Sequence, residues 1–238
     1  MVKRGKLIVL EACDGGGKST QVKIIKNYLK NNKKLSCQTC HFPAYKHNQF
    51  SDIIAKFLRG EFGSINEVDP LFVANIYAMD RFRFSPELDK YLNEYDVVLL
   101  DRYVYSNIAY QCAKLNTEEE IKQLKEWILK FEFEFLKLHY PDLNLFLDVP
   151  IEITKTRLQQ RLKEDREYLN GKQDIHEADI EFQSKVRDNY LSTMKNAPNC
   201  RIITCAIQEN NNLNILKPEE LFLTYKKYLD YVIFNIPI

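Results

Sequence analysis

Apolar residues along this chain come in short runs separated by longer stretches in which they recur every third or fourth position. The run KLIVLE (6–11) precedes a glycine-rich turn and predicts a buried parallel strand. From Gly17 to about Asn32, Val22, Ile25 and Leu29 repeat at helical spacing. Residues 36–42 predict a second strand, and helical patterns follow at about 49–59 and 70–94, with Gly60 and Gly63 between them. DVVLL (96–100) predicts a strand ending at Asp101, and residues 103–115 a helix. Ile121, Leu124, Ile128, Phe131, Phe135 and Leu138 predict one amphipathic helix over 118–138. Thr117 and Glu120 form its capping box, and the long period outweighs the local FEFEF alternation. LNLFLDV (143–149) and RIITC (201–205) predict two more strands, with a charged stretch at 155–188 between them. A last helix covers about 218–232, and Asn210–Asn212 reads as a surface loop.

Five strands alternating with helices imply an α/β fold, a five-stranded parallel sheet flanked by helices on both faces. Ligands of such sheets sit at the carboxyl ends of the strands, where Glu11–Gly16 and Asp101–Tyr103 fall.

Composition narrows the class. The chain has 238 residues, 45% hydrophobic and 28% charged, as in ordinary soluble enzymes, and one domain spanning 1–238 is expected. A net charge of +1 gives no global field for nucleic acid or an anionic membrane, so neither is expected as a partner. The apolar run at 7–10 ends in Glu11, too short for a secretory segment, and no stretch approaches a membrane span; the expected location is the cytoplasm. The six cysteines, at 13, 37, 40, 112, 200 and 205, are expected to be free thiols. Cys37-Gln38-Thr39-Cys40-His41 has the C-x-x-C-H form of haem attachment, but strand period puts Cys37 and Cys40 on opposite faces, so a half-buried strand is the reading.

The chemistry begins at EACDGGGKST (11–20). It matches the phosphate-binding pattern G-x-x-x-x-G-K-[ST] at Gly17, Lys18 and Ser19, with Ala12 in place of the first glycine. Backbone N–H groups of such a loop and the helix N-terminus cradle phosphates. Lys18 reaches the β- and γ-phosphates and Ser19 places its hydroxyl on Mg²⁺. The extra methyl of Ala12 is tolerated if its φ is negative. Asp101, at a strand end, is placed to help hold Mg²⁺, and Arg102 beside it can grip a monophosphate in bidentate fashion.

EACDGGGKSTQ, HFPAY (41–45), YAMDR (77–81) and DRYVYSNIAYQ (101–111) stand in the order and at about the intervals of the thymidylate kinases, and the whole chain resembles that family of P-loop nucleoside-monophosphate kinases. The resemblance implies the P-loop kinase fold, ATP-dependent phosphorylation of dTMP to dTDP with Mg²⁺, and a homodimer packed through the 70–94 or 118–138 helix. It implies that Ala12, Asp14, Gly15, Gly16, Gly17, Lys18, Ser19 and Thr20 hold ATP, and that Arg102 and Tyr45 hold the dTMP phosphate. Asp14 then meets the sugar 3′-hydroxyl and the metal region, Tyr77 stacks on thymine and Arg81 bonds a base carbonyl. Asn107 faces the base, Tyr110 crowds the sugar 2′ position, and Ser106 and Gln111 complete the acceptor site. Relatives carry Arg near position 44, where this chain has Ala44; Lys46 is one substitute. Relatives with glycine at the position of Gly15 supply a cation from a mobile lid, so the basic stretch 156–177 is the expected lid. There Arg161, Lys163 and Arg166 close over the phosphates and Arg157 lies over adenine. Lys18, Asp14, Arg102, Arg161 and Arg166 form the expected catalytic set. A kinase for dUMP, dGMP or a deoxynucleoside, and a nucleotide-binding module without turnover, are the alternatives.

Overall fold

The structure, a computed structural model, describes residues 4–45, 47–161, 166–177, 179–209 and 212–237. The five expected strands are present: β1 (Lys6–Glu11), β2 (Cys37–His41), β3 (Val97–Asp101), β4 (Leu143–Asp148) and β5 (Cys200–Thr204). They pair in parallel in the order β2-β3-β1-β4-β5. Around them lie α1 (Lys18–Asn27), α2 (Gln49–Leu58), α3 (Pro70–Glu94), α4 (Val104–Cys112), α5 (Glu118–Leu129), α6 (Ile151–Arg161), α7 (Ile180–Met194) and α8 (Pro218–Phe234).

Strand period sorts the sheet residues into two cores. Leu7, Val9, Val98, Leu100 and Phe146 pack with residues of α3, α4, α5 and α7. Ile8, Leu10, Val97, Leu99, Leu145 and Leu147 pack with residues of α1 and α8 on the other face. Cys40 joins the first core and Cys37 the second, as the strand reading of the C-x-x-C-H stretch requires. All six cysteines are free.

Local chemistry explains the helices that shape the cleft. Asp69 accepts from the Phe72 N–H at 2.8 Å and starts α3, with Pro70 in the first turn where no N–H is needed. Pro86 lies inside α3 and cannot donate to the Phe82 carbonyl; the Ser85 hydroxyl does so instead, at 2.8 Å. Thr117 and Glu120 form the expected capping box of α5. The helix does not stay α-helical to 138 as its period suggests. It widens into π-type turns over Lys130–Phe135, where both Glu132 and Phe133 are buried. The charged stretch 155–188 contains most of α6 and the first part of α7, whose Phe182, Val186, Tyr190 and Met194 are buried. One further expectation is corrected. Asn212, the last of the asparagine run, opens strand β7 (Asn212–Ile215), which pairs antiparallel with β6 (Ala206–Glu209), rather than lying in a plain loop; Asn210 and Asn211 lie outside the described residues.

In the register of the sheet Leu10 pairs with Asp101 and Glu11 with Phe146. The carboxyl ends of β1 and β3 therefore open side by side, with β1 at the point where the strand order turns.

Replacing Thr117 by Ala removes one cap and should cost about 1 kcal/mol. A thermal melt should show a Tm lower by about 2–4 °C for a chain of this size; an unchanged Tm would mean the capping box contributes nothing.

Candidate active site

Between β1 and α1 the chain turns sharply. The Gly16 N–H donates to the Cys13 carbonyl at 3.1 Å, and Gly17 starts α1 with φ 82°, a left-handed conformation that favours glycine. A Cβ on Gly16 would lie 2.5 Å from the Ala12 Cβ and 2.9 Å from the Cys13 carbonyl oxygen. The methyl of Ala12 is thus accommodated because residue 16 has none. Ala12 is fully buried and is not among the residues with positive φ, so the substitution of the pattern's first glycine carries no backbone strain. Lys18 is buried at the foot of the loop, its Nζ 3.8 Å from Asp101 Oδ1, while Ser19 and Thr20 are exposed on the cleft side. Arg157 donates from Nη1 to the Gly15 carbonyl at 3.0 Å, so α6 touches the loop directly.

Arg102 ties the loop to the other half of the cleft. It adopts φ 70°, unusual for a side-chain-bearing residue, while its N–H donates to the Leu10 carbonyl at 2.9 Å. Its Nη2 donates to Asp14 Oδ1 at 2.6 Å and to the Tyr110 hydroxyl at 3.1 Å. Its Nη1 donates to the Ala12 carbonyl at 2.9 Å, to Ser106 Oγ at 3.2 Å and to the Tyr190 hydroxyl at 3.3 Å. The Tyr110 hydroxyl donates to Asp14 Oδ2 at 2.7 Å. Behind this layer Glu11, fully buried, accepts from the N–H groups of Tyr103 and Ser106 at the start of α4 and from the Ser106 and Tyr190 hydroxyls. A carboxylate there answers the helix dipole as well as the open N–H groups. The Ser106 hydroxyl, expected at the acceptor, is thereby engaged with Glu11 and Tyr190.

The loop, Arg102 and four helices enclose a cavity of about 670 Å³. Tyr45, Tyr77, Arg81, Asn107, Tyr110 and Gln111 all line it, as expected of an acceptor site. Arg81 and Glu132 form a buried bidentate ion pair, Nε to Oε2 and Nη2 to Oε1, both at 2.6 Å. Asn107 Nδ2 donates to the Ala74 carbonyl and to Glu132 Oε1, each at 2.9 Å. Among the described residues this leaves Asn107 Oδ1 and Gln111 Oε1 buried without a partner. Ala44 is buried, with its N–H on Asp80 at 2.9 Å.

On the far side, Arg166 is paired with Glu177 at 2.7 and 2.8 Å, and Tyr168 stacks on Tyr45 with ring centroids 4.6 Å apart. The Arg161 side chain, Lys163 and Lys46 lie outside the described part of the structure. Sequence reasoning missed Glu11, Glu132, Asp174, His176, Glu177, Gln183 and Tyr190. Most act on partners far along the chain, such as Glu132 on Arg81, and no local spacing marks them.

A family model for thymidylate kinase matches residues 10–214. The chain belongs to the thymidylate kinase family. It is 33% identical over 179 residues to a thymidylate kinase of Mycobacterium tuberculosis, covering 75% of this chain and 81% of that protein. It is 31% identical over 190 residues to a probable thymidylate kinase of Saccharolobus solfataricus, covering 80% and 84%. The solved thymidylate kinase of Candida albicans shares the fold, with a TM-score of 0.66 and 24% identity over 95% of this chain and 92% of that one.

The charges of this thymidylate kinase cleft are closely balanced. Burial opposes ionisation of Asp14, yet the Arg102 and Lys18 charges hold its carboxyl well below the usual carboxylate range. Burial likewise opposes ionisation of Asp101, but Lys18 and a hydrogen bond from His41 bring it to about 2. Burial and the Arg102 charge pull the Lys18 ammonium down, against Asp101 and Asp14. Across the cavity, burial and then the Asp14 and Glu177 charges push Asp174 up to about 7. Burial and then the Lys114 charge push His176 down to about 3.

Lys114 lies behind the cleft with its Nζ 4.5 Å from the centre of the Phe57 ring and no hydrogen-bond partner among the described residues. Burial lowers it from 10.5 to about 7. Below pH 7 the lysine is charged in both folded and unfolded states, and burying that charge destabilises the fold in full. Between pH 7 and 10.5 only the unfolded chain keeps the proton, so the penalty shrinks as pH rises. Lys114→Met should therefore stabilise the protein by more than about 1 kcal/mol at pH 6, with the gain fading by pH 9.5–10. Denaturant melts across that range test it; a gain independent of pH would contradict the assignment.

Proposed function

We propose that this enzyme transfers the γ-phosphoryl group of ATP to dTMP, giving ADP and dTDP. The observation that carries the reading is one cavity with a phosphate loop at one end and, at the other, a base-sized pocket holding Arg81 and the unpaired Asn107 Oδ1. Thymine presents a carbonyl acceptor next to an N–H donor, and an arginine donor beside an amide acceptor complements that edge. Family membership supports the same acceptor.

At the donor end the roles fall to backbone N–H groups at the start of α1, to Lys18 on the β- and γ-phosphates, to Thr20 beside them and to Arg157 near adenine. At the acceptor end Tyr77 stacks on the base, Tyr110 crowds the 2′ position and Gln111 lies beyond Asn107. Asp14 meets the 3′-hydroxyl, and Arg102 and Tyr45 hold the monophosphate, with Ala44 contributing no charge. To grip a phosphate, Arg102 exchanges contacts it now makes with the Ser106, Tyr110 and Tyr190 hydroxyls for phosphate oxygens. Catalysis of this kind is mainly alignment of the two phosphates and neutralisation of their charge.

Mg²⁺ fits the site. Among the described residues Asp101 Oδ1 is buried without a hydrogen-bond partner, and the exposed Ser19 lines the same cavity. No group of three or more His, Cys, Asp or Glu side chains suited to a metal is found among the described residues, which agrees with an ion that takes most of its ligands from phosphates and water. Ser19 and Asp101 would hold it, and it would supply charge neutralisation on the phosphates.

The lid is assigned to 156–177, with Arg161 and Arg166 directed to the transferring phosphoryl group. The Arg166–Glu177 pair is the contact that lid closure must exchange. Closure would exclude water from the phosphates. No described helix is long and apolar enough to cross a membrane, and the free thiols support a cytoplasmic site of action. Exposed Leu71 and Phe82, eleven positions apart and so on one face of α3, support the homodimer.

The test is a steady-state assay with ATP and Mg²⁺ across dTMP, dUMP, dGMP and thymidine. dTMP should give the highest kcat/KM, with ADP release dependent on the acceptor. A different best acceptor, or release indifferent to acceptor, would overturn the reading.

A further inference from the structure

Gln183, near the start of α7, is fully buried. Its carboxamide joins two segments that are distant in sequence and both line the cleft. Nε2 donates to Asp14 Oδ2 at 3.0 Å and to the His176 carbonyl at 2.9 Å. Oε1 accepts from the Asp14 N–H at 3.3 Å. Both amide hydrogens are used, and Asp14 is held through its carboxylate and its backbone by the same side chain.

The His176 end is itself a fixed unit. In the turn Asp174–Glu177 the Glu177 N–H donates to the Asp174 carbonyl at 3.2 Å. Asp174 accepts from the His176 N–H at 2.9 Å and from the Tyr168 hydroxyl at 3.2 Å, and Glu177 holds Arg166. Gln183 therefore connects the return of the 156–177 segment to the phosphate loop through one neutral group. Its neutrality fits the place. A cation would compete for the acceptor phosphate, a carboxylate would face Asp14, and an apolar side chain would leave Asp14 Oδ2 and the His176 carbonyl each short of a donor.

We propose that Gln183 is a positioning residue for phosphoryl transfer: its carboxamide orients the Asp14 carboxylate and couples the 174–177 turn to the phosphate loop. The proposal rests on the reading of Asp14 as an acceptor-site carboxylate.

The experiment compares Gln183→Leu and Gln183→Glu with the native enzyme from pH 6 to 9, varying dTMP and ATP separately and measuring the folded fraction by thermal melting. Gln183→Leu should lose at least about tenfold in kcat/KM for dTMP, the scale of a hydrogen bond to a charged group, with KM for ATP within about twofold. Gln183→Glu should be poorest at high pH and recover as pH falls, because a protonated carboxylic acid regains a donor toward Asp14. The groups around it, Asp14, Arg102, His176, Asp174 and Glu177, are common to all three proteins, and neither the native enzyme nor Gln183→Leu should show that recovery. Native-like kcat/KM in Gln183→Leu, or equal loss of active enzyme in both variants with unmoved KM and no recovery at low pH, would overturn the proposal. If Gln183→Glu does not fold, the KM and kcat split of Gln183→Leu decides. Asp14→Asn is assayed alongside; near-native activity there would refute the reading of Asp14, whereas its loss together with an unaffected Gln183→Leu would refute Gln183 alone.

Discussion

The Asp14–Arg102 ion pair, 2.6 Å long and largely withdrawn from solvent, joins the phosphate loop after β1 to the start of α4 after β3. Everything else in the cleft is arranged around it. Parallel pairing sets the ends of β1 and β3 side by side, and the left-handed backbone of Arg102 turns its side chain back under the loop. A guanidinium with contacts to Asp14, Ala12, Ser106, Tyr110 and Tyr190 is a rigid reference point. The same planar group is suited to a phosphate, so on the proposed reading the donor and acceptor halves are aligned through a residue that also binds substrate.

Buried charge is handled differently in the two halves. Arg81 and Glu132 form a nearly ideal bidentate pair, and Asn107 uses Glu132 as well. Such a pair adds little stability over an apolar replacement, but losing one partner strands the other. Its return is geometry, since Arg81 is held rigidly at the edge of the cavity. Glu132 follows the fully buried Ile128 by one helical turn, so the inward face of the helix carries it to Arg81 within the widened turns at Lys130–Phe135. Around Asp174, by contrast, burial and then the charges of Asp14 and Glu177 push the carboxyl up to about 7.

Local chemistry was the legible part of the sequence. The strand, glycine loop and helix of residues 6–27 follow from apolar runs and turn residues alone, and the Thr117 cap from a four-residue pattern. The proposed acceptor residues needed the family resemblance, because Tyr77, Arg81 and Asn107 are ordinary helix residues until a second segment is placed opposite them. Glu132 was hidden inside FEFEF, where its partner is 51 residues away. α7 carries apolar residues at every fourth position from Phe182 to Tyr190, a helical signal masked by the surrounding charge. The hairpin after β5 was hidden by strands of four residues each, too short for alternation to register. Gln183 makes its contacts with Asp14 across 169 residues, and only the folded chain brings the two together.

The most direct test of the account is a double-mutant cycle on the tie itself, measuring kcat/KM for dTMP in Asp14→Asn, Arg102→Lys and the double variant. If the pair works as one unit, each single change should remove most of the activity and the double should be little worse than the poorer single, a coupling above roughly 1 kcal/mol. Losses that simply multiply would show that Asp14 and Arg102 act independently, and would contradict the claim that one ion pair aligns the two halves of the cleft.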